Sequence, residues 1–237
     1  MNESDLYLQV RQKEGRLYPD DLLARLPAAP AGHPLAAEWR ARRDSASRLV
    51  GYLASLGRRL AILELGCGNG WLSHQLASIP TCYAWGLDRE SPELAQAGRV
   101  FRQPNLGYMA ADIFNPPFPT QTFDIIVLAS VIQYFADLPG LIRALWLLVK
   151  PGGEIHLLDS PIYMDADIPA ARLRTQVYYT SLGYPEMAEH YFHHAWTALE
   201  PFSPKFLYRP DSVRARLKRQ LGGGASPFPW VCLRRQP

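Results

Sequence analysis

An apolar run that empties into three alternating glycines, Leu60-Ala61-Ile62-Leu63-Glu64-Leu65-Gly66-Cys67-Gly68-Asn69-Gly70, constrains this 237-residue chain more than any other segment. The run has the length and character of a buried strand, and a helix signal follows at once over 70–78, stopped by Pro80. Glycine permits backbone angles and close approaches that a Cβ would block, so a ligand can lie against the main chain at the strand's carboxyl end. A crevice is expected there.

The middle of the chain keeps this rhythm. Residues 82–88 read as a second strand, and Ser91-Pro92-Glu93 then supplies an N-cap, a proline at the first helical position and an early acid for a helix to about Phe101. Strands are expected over 106–112 and 123–130, a helix over 138–149, and a fifth strand over 154–158 beyond a structural turn at Lys150-Pro151-Gly152-Gly153. Such alternation implies a parallel sheet with helices on both faces, because parallel neighbours need a crossover. Residues 1–58 read as a helical lead-in, interrupted by Pro27, Pro30 and Pro34 and helical again over 35–56. Residues 59–237 read as the main domain, with 162–203 a helical, aromatic insertion that would shape a ligand pocket. Short strands over 205–208 and 230–233, joined by a basic stretch and Gly222-Gly223-Gly224, are expected to pair at one sheet edge.

Asp88 ends the second strand 18 residues after Gly70, the placement from which a carboxylate accepts both hydroxyl hydrogens of a ribose. The glycine loop and this acid together indicate a nucleoside-containing ligand. A dinucleotide fingerprint, G-x-G-x-x-G, would need its third glycine where Trp71 stands, whereas Gly66, Gly68 and Gly70 give G-x-G-x-G. Glu64, inside the strand and aimed at the loop, would repel a pyrophosphate but suits a ligand bearing an ammonium and a sulfonium. The residues therefore point from a nicotinamide dinucleotide towards S-adenosylmethionine.

Four motifs in order carry a resemblance: Glu64-Leu65-Gly66-Cys67-Gly68-Asn69-Gly70, Asp88, Ala111-Asp112-Ile113, and Phe123-Asp124-Ile125-Ile126-Val127 followed by Leu148-Val149-Lys150-Pro151-Gly152-Gly153. The sequence resembles the class I S-adenosylmethionine-dependent methyltransferases, and within them the type 11 domains that include the quinone-biosynthesis group. The resemblance implies an α/β, Rossmann-like, doubly wound, mostly parallel seven-stranded sheet with an antiparallel last strand. It also implies S-adenosylmethionine as cofactor, S-adenosylhomocysteine as product and a small-molecule acceptor. Gly66 and Gly68 would border the methionyl part, with Glu64, Cys67 and Gly70 in the same cofactor-binding loop; Asp88 would hold the ribose. Asp112 and the backbone of Ile113 would meet the adenine edge, Asp112 reading otherwise as a strand-end turn carboxylate. Ala129 and Ser130 would lie beside the sulfonium. Relatives commonly close residues ahead of the first helix as a lid, for which Tyr7, Arg11, Arg16 and Tyr18 are candidates.

Methyl transfer from a sulfonium asks mainly for alignment and exclusion of water, so no obligatory catalytic signature is expected. Where the acceptor must lose a proton, the candidate bases are His190, His193, His194 and Tyr134. His190 and His194 would share a helical face at i, i+4, but no third ligand can be identified, and no metal is expected. Tyr178, Tyr179, Tyr191 and Trp196 read as core or lid packing, and the same residues would wall an aromatic or apolar acceptor. Arg209, Arg214, Arg216, Lys218 and Arg219, with Val213, Leu217 and Leu221 at helical spacing, read as an amphipathic surface helix with a solvated basic face.

Asn115-Pro116-Pro117-Phe118 looks like the base-holding motif of amino-group DNA methyltransferases, but it precedes the fourth strand instead of following it, and reads as a connecting loop. With 25 basic and 22 acidic side chains the net charge is only +3, which does not argue for nucleic acid as a bulk partner. Cys67, Cys82 and Cys232 form no CxxC pair and fit reduced thiols in the cytoplasm. The polar, acidic start and the lack of an apolar stretch of roughly 18–20 residues set aside secretion and a membrane span. The competing readings are a nicotinamide-dependent oxidoreductase, a non-catalytic S-adenosylmethionine-binding module and a macromolecular methyltransferase.

Overall fold

A computed structural model describes residues 3–89, 91–221 and 223–236. Gly222 of the triple-glycine run and the first two residues lie outside these, as do the side chains of Glu3 and Arg214. Seven strands form one sheet: β1 (Leu60–Leu65), β2 (Cys82–Asp88), β3 (Leu106–Ala110), β4 (Phe123–Ala129), β5 (Val149–Leu158), β6 (Lys205–Tyr208) and β7 (Trp230–Arg234). Their spatial order is β3-β2-β1-β4-β5-β7-β6. The first five pair in parallel, and β7 runs antiparallel to both β5 and β6, so the last strand is the reversed one. Chain order reverses between β1 and β4, and a ligand crevice opens above the carboxyl ends of strands at such a switch point.

Strand alternation divides the interior into two cores. In β4, Ile125 and Val127 face one side, with Leu49 and Leu53 of α3 (Ala36–Ser55) and Trp71, Leu72 and Leu76 of α4 (Trp71–Ala77). Ile126 and Leu128 face the other, against Leu138, Leu141, Ile142, Leu145 and Leu148 of α6 (Leu138–Leu148), and Phe123 joins them because the strand's register shifts between it and Ile125. The i, i+3, i+4, i+7 spacing in α6 makes it amphipathic, and each such fully buried side chain contributes about 1.5–3 kcal/mol. Caps fix the helix starts as the sequence indicates: Ser91 Oγ accepts from Leu94 N (3.1 Å) ahead of α5 (Pro92–Val100), and Asp137 Oδ1 accepts from Gly140 N (2.8 Å) ahead of α6.

The expected turn at 150–153 is instead the start of β5, which begins at Val149 with an irregular register against β4 and Gly152 at φ +74°. Asp124, buried in β4, explains the capture of this segment: it accepts from Lys150 Nζ (2.8 Å), Arg58 Nη1 (2.7 Å) and Ala61 N (2.9 Å).

The lead-in and the insertion meet over the crevice. Leu6 and Val10 of α1 (Glu3–Lys13) pack with Tyr179 of α7 (Ile168–Leu182) and with Met187, a small core separate from the two beneath it. A short α2 (Asp20–Leu23) links α1 to α3. The i, i+4 helical face expected for His190 and His194 does not form. Residues Pro185–His190 make a 3₁₀ turn, and the chain beyond is extended because Phe192 N donates to Gln133 O (2.7 Å) and Tyr163 N to His194 O (2.9 Å). The basic helix α8 (Val213–Gln220) also departs from expectation, since only Ala215 of its apolar residues is buried. Its cations grip the body instead: Lys218 pairs with Asp44, and Arg219 donates to the carbonyls of Pro210 (2.6 Å) and Ser226 (3.3 Å). Among the described residues no helix is long and apolar enough to cross a membrane.

Candidate functional site

The glycine loop leaves β1 with Gly66, Gly68 and Gly70 all at positive φ, +71°, +49° and +75°. The three differ in what surrounds them. A Cβ on Gly66 would lie 2.2 Å from Val131 Cγ2, and one on Gly70 would lie 2.5 Å from the Tyr108 hydroxyl, so packing demands glycine at both. A Cβ on Gly68 would meet nothing within 4 Å, so the main chain is open there to an incoming molecule. Asp88 ties the loop to β2 by accepting from Gly68 N (2.6 Å) and, through its other oxygen, from Arg89 N (2.7 Å). Burial nonetheless holds its carboxyl above the usual range. Below the loop, Glu64 is buried and accepts from Ser73 Oγ. Burial, with nearby Asp88 adding to it, pushes Glu64 up to about 8, so it carries its proton at neutral pH. Cys67 is buried too, and its thiol is raised well above the ordinary value, which removes it as a nucleophile.

Beside this loop, Ser130 at the end of β4 and Asp159 at the end of β5 are both non-glycine residues in the left-handed region, φ +58° and +49°. Such residues cost about 1–3 kcal/mol each and persist where the surroundings over-determine them. Here Ser130 N donates to Leu158 O (3.0 Å) and Ser130 Oγ to Asp159 O (2.9 Å). Asp159 Oδ1 in turn accepts from Ser45 Oγ and Ser226 Oγ, each at 2.8 Å. Burial raises this carboxyl as well, against the pull of Arg42.

A cavity of about 930 Å³ lies over these strand ends. That is near the upper end of the roughly 300–1,000 Å³ of small-molecule sites, enough for two ligands side by side. All four expected lid residues, Tyr7, Arg11, Arg16 and Tyr18, line it, facing Tyr163, Tyr178, Tyr179 and Tyr191 of the insertion. Tyr7 meets Tyr134 edge-on at 5.5 Å, and Tyr134 meets Tyr191 at 6.1 Å, which closes an aromatic wall. Polar latches hold the lid: Arg11 to Glu93 (2.8 Å), Arg16 to both oxygens of Glu38 (2.6 and 2.8 Å), and Tyr178 donating to Glu14 (2.5 Å).

Of the residues expected at the cofactor, Glu64, Gly66, Cys67, Gly68, Ala129 and Ser130 line the cavity. Gly70, Asp88, Asp112 and Ile113 do not, although Asp88 touches it through Gly68. Asp112 Oδ1 accepts from Phe114 N (3.0 Å) and so caps its own turn. On the acceptor side Tyr134 lines the cavity, whereas His193 and His194 line a smaller neighbouring pocket and His190 lines neither. His193 Nε2 sits 2.9 Å from Thr175 Oγ1, and His194 Nε2 sits 2.9 Å from Ile132 O, which makes the latter nitrogen a proton donor. Burial lowers both histidines, leaving them neutral. Asp159 is the polar group that the sequence reading overlooked. Its signal was available: like Asp88, it is an acid at the carboxyl end of a strand.

Glu154, His156 and Cys232 place three ligand atoms within 4.8 Å of one another in the interior. The hydrogen bonds there oppose a metal. Trp230 Nε1 donates to His156 Nδ1 (3.1 Å), so the proton of the neutral ring sits on Nε2, 3.3 Å from Glu154, and offers no lone pair.

Residues 63–157 match the model of a methyltransferase domain. Over 95 residues the chain is 34% identical to the trans-aconitate 2-methyltransferase of Deinococcus radiodurans. Over 129 residues it is 29% identical to a 2-phytyl-1,4-naphtoquinone methyltransferase of Nostoc punctiforme. These alignments take in 40% and 52% of this chain but only 35% and 55% of those proteins. Among solved structures, human N-acetylserotonin methyltransferase in complex with SAM superposes with a TM-score of 0.58 at 18% identity, over the whole of this chain and 61% of that one, and so shares the fold.

Proposed function

Because residues 63–157 match the model of a methyltransferase domain and lie on a Rossmann-like sheet, we propose that the chain transfers a methyl group from S-adenosylmethionine to an O, N or C atom of a small molecule. The observation that carries this reading is the open main chain at Gly68, joined to Asp88 and set at the foot of a lidded cavity. The residues fit the cofactor. Gly66, Cys67 and Gly68 would cradle its methionyl part and Ala129 and Ser130 would lie beside the sulfonium, all on the cavity wall, with Asp88 behind Gly68 to take the ribose; Gly70, packed on Tyr108, and Asp112 and Ile113 stand outside that wall. Glu64 beneath the loop would answer the positive charge by giving up its proton. When bound, the cofactor supplies a methyl group already activated for displacement.

The chain's own part is alignment, dryness and, for a protic acceptor, removal of a proton. The latched tyrosine wall excludes water. Tyr134 is a poor base because burial raises it and favours its protonated form, and His190, His193 and His194 do not line the cavity. Asp159 does line it, with one oxygen fixed by two serine hydroxyls and a carboxyl made more basic by burial; it is the group placed to accept the proton. A lidded cavity of this size suits a small acceptor and not a nucleic-acid duplex. Three free, buried cysteines support a cytoplasmic setting.

Calorimetric titration with S-adenosylmethionine, S-adenosylhomocysteine and NAD tests the reading. Saturable binding of the two sulfur nucleosides without NAD heat is expected, with Asp88→Ala weakening it more than about tenfold through loss of charge-assisted ribose hydrogen bonds. NAD binding alone would overturn it, and nucleoside binding without methylated product in an acceptor screen would leave a binding module.

A further inference from the structure

The orientation of α8 carries a consequence outside the cavity. Val213, Leu217 and Leu221 recur at i, i+4, i+8 and form one stripe, yet they are 83%, 54% and 78% exposed. Single exposed apolar residues are ordinary on a protein surface; an aligned row of them marks a contact surface. The helix holds no acidic residue, and Arg216 stands exposed beside the stripe. α7 repeats the arrangement. Leu173 and Val177, at i, i+4, are exposed, the only charged residues of the helix are Arg172 and Arg174, and both of these are exposed. The two helices also border the same cavity, through Arg174 and Tyr178 from one and Arg219 from the other.

We propose that the outward faces of α8 and α7 seat the protein on an anionic phospholipid surface, with Val213, Leu217 and Leu221 entering the acyl boundary and the flanking arginines meeting headgroup phosphates. An apolar stripe flanked by cations, with acids only ahead of the helix starts at Asp165, Asp167 and Asp211, is the chemistry of an interfacial helix. Charge selects this occupant over the others. A second copy would set like charge against like, and RNA would engage the arginines while leaving five large apolar side chains in water. Residues of both helices, Arg174, Tyr178 and Arg219, line the cavity wall, so a protein seated this way would hold the cavity near the lipid. On the methyl-transfer reading proposed above, an apolar acceptor dissolved in the bilayer would reach Asp159 without crossing water.

The test is co-sedimentation of the full chain with vesicles of equal parts phosphatidylglycerol and phosphatidylcholine, and with phosphatidylcholine alone. Binding to the anionic vesicles is expected, weakened by added salt. Leu217→Ser with Leu221→Ser should weaken it more than about tenfold, since two apolar side chains no longer enter the boundary, and Arg216→Ala should weaken it about fivefold. Unchanged circular dichroism and unchanged titration with S-adenosylmethionine in the same variants separate loss of the surface from loss of the fold or of the cofactor site. Failure to sediment with anionic vesicles, equal binding to neutral ones, or indifference to the double substitution overturns the proposal. So does a concentration-dependent dimer abolished by the double substitution, or retention on a labelled RNA oligomer without vesicle binding, which reassign the surface to a second copy or to nucleic acid.

Discussion

Two glycines separated by one residue do different work, and substitution should separate them. Gly66→Ala forces a Cβ into Val131 at a positive φ and is expected to destabilise the fold by about 3 kcal/mol or more. Gly68→Ala meets only the backbone penalty of about 1–2 kcal/mol, but places a methyl group where the ligand would lie. Thermal melts should therefore rank Gly66→Ala as the less stable, while titration with S-adenosylmethionine should find the larger affinity loss per degree of melting in Gly68→Ala. Glu64 makes a second residue-scale prediction, in pH. Its carboxyl moves from an ordinary 4.5 to about 8 on folding, so between those values the folded chain binds more protons than the unfolded one. Its contribution to stability should fall as pH rises through that window and level off above it. The buried His193 and His194, held below their ordinary value, work the other way over part of this window, so the check is the melting temperature of the wild type relative to Glu64→Gln at about pH 5 and about pH 8; a wild type that gains on the variant as pH rises contradicts the sign. Asp88 was readable because it closes a strand behind a glycine loop. The protonation of Glu64 was not, since it depends on burial by residues far away in sequence.

At the scale of elements, strand and helix order follows from apolar runs and capping residues, and this much of the fold was legible. What spacing does not encode is which face of a helix turns inward. Val213, Leu217 and Leu221 share a face as their spacing requires, but Lys218 and Arg219 anchor α8 by ionic and carbonyl contacts that put that face outside. The histidine segment shows the same limit: tertiary backbone bonds to Gln133 and Tyr163 draw 191–195 out of helix. For α1 the decisive tie is Arg11 to Glu93, an ion pair with little exposure on either partner. Arg11→Ala leaves a buried carboxylate unpaired, so hydrogen exchange across α1 should speed up by at least about tenfold while α6 and β4 keep their protection. Unchanged exchange in α1 would show that Leu6 and Val10 hold the lid without the latch.

Taken whole, the molecule divides its stability and its closure between different parts of the lead-in. α3 belongs to the main core, because Trp39, Leu49 and Leu53 pack on α4 and the sheet. α1 does not; its Leu6 and Val10 are buried in the small cluster with Tyr179 and Met187, which Tyr134 links to the interior beneath. A boundary near residue 58 marks where the strands begin, while the side chains buried in the main core begin earlier, at Tyr18. Removing residues 1–13 should therefore leave one cooperative unfolding transition, lowered by up to about 3–6 kcal/mol through the loss of two buried side chains. The cavity would lose Tyr7, Val10 and Arg11 from its wall, and affinity for S-adenosylmethionine should drop by more than about tenfold as the site opens to water. Removing residues 1–58 instead strips six large buried side chains, Tyr18, Leu23, Leu26, Trp39, Leu49 and Leu53, from the main core, and that chain is expected to lose the cooperative transition altogether. Differential scanning calorimetry on both truncations decides the point. A folded, cooperative product from the longer deletion would mean that α3 is an ornament on the sheet, and loss of folding from the shorter one would mean that lid and scaffold are a single cooperative unit.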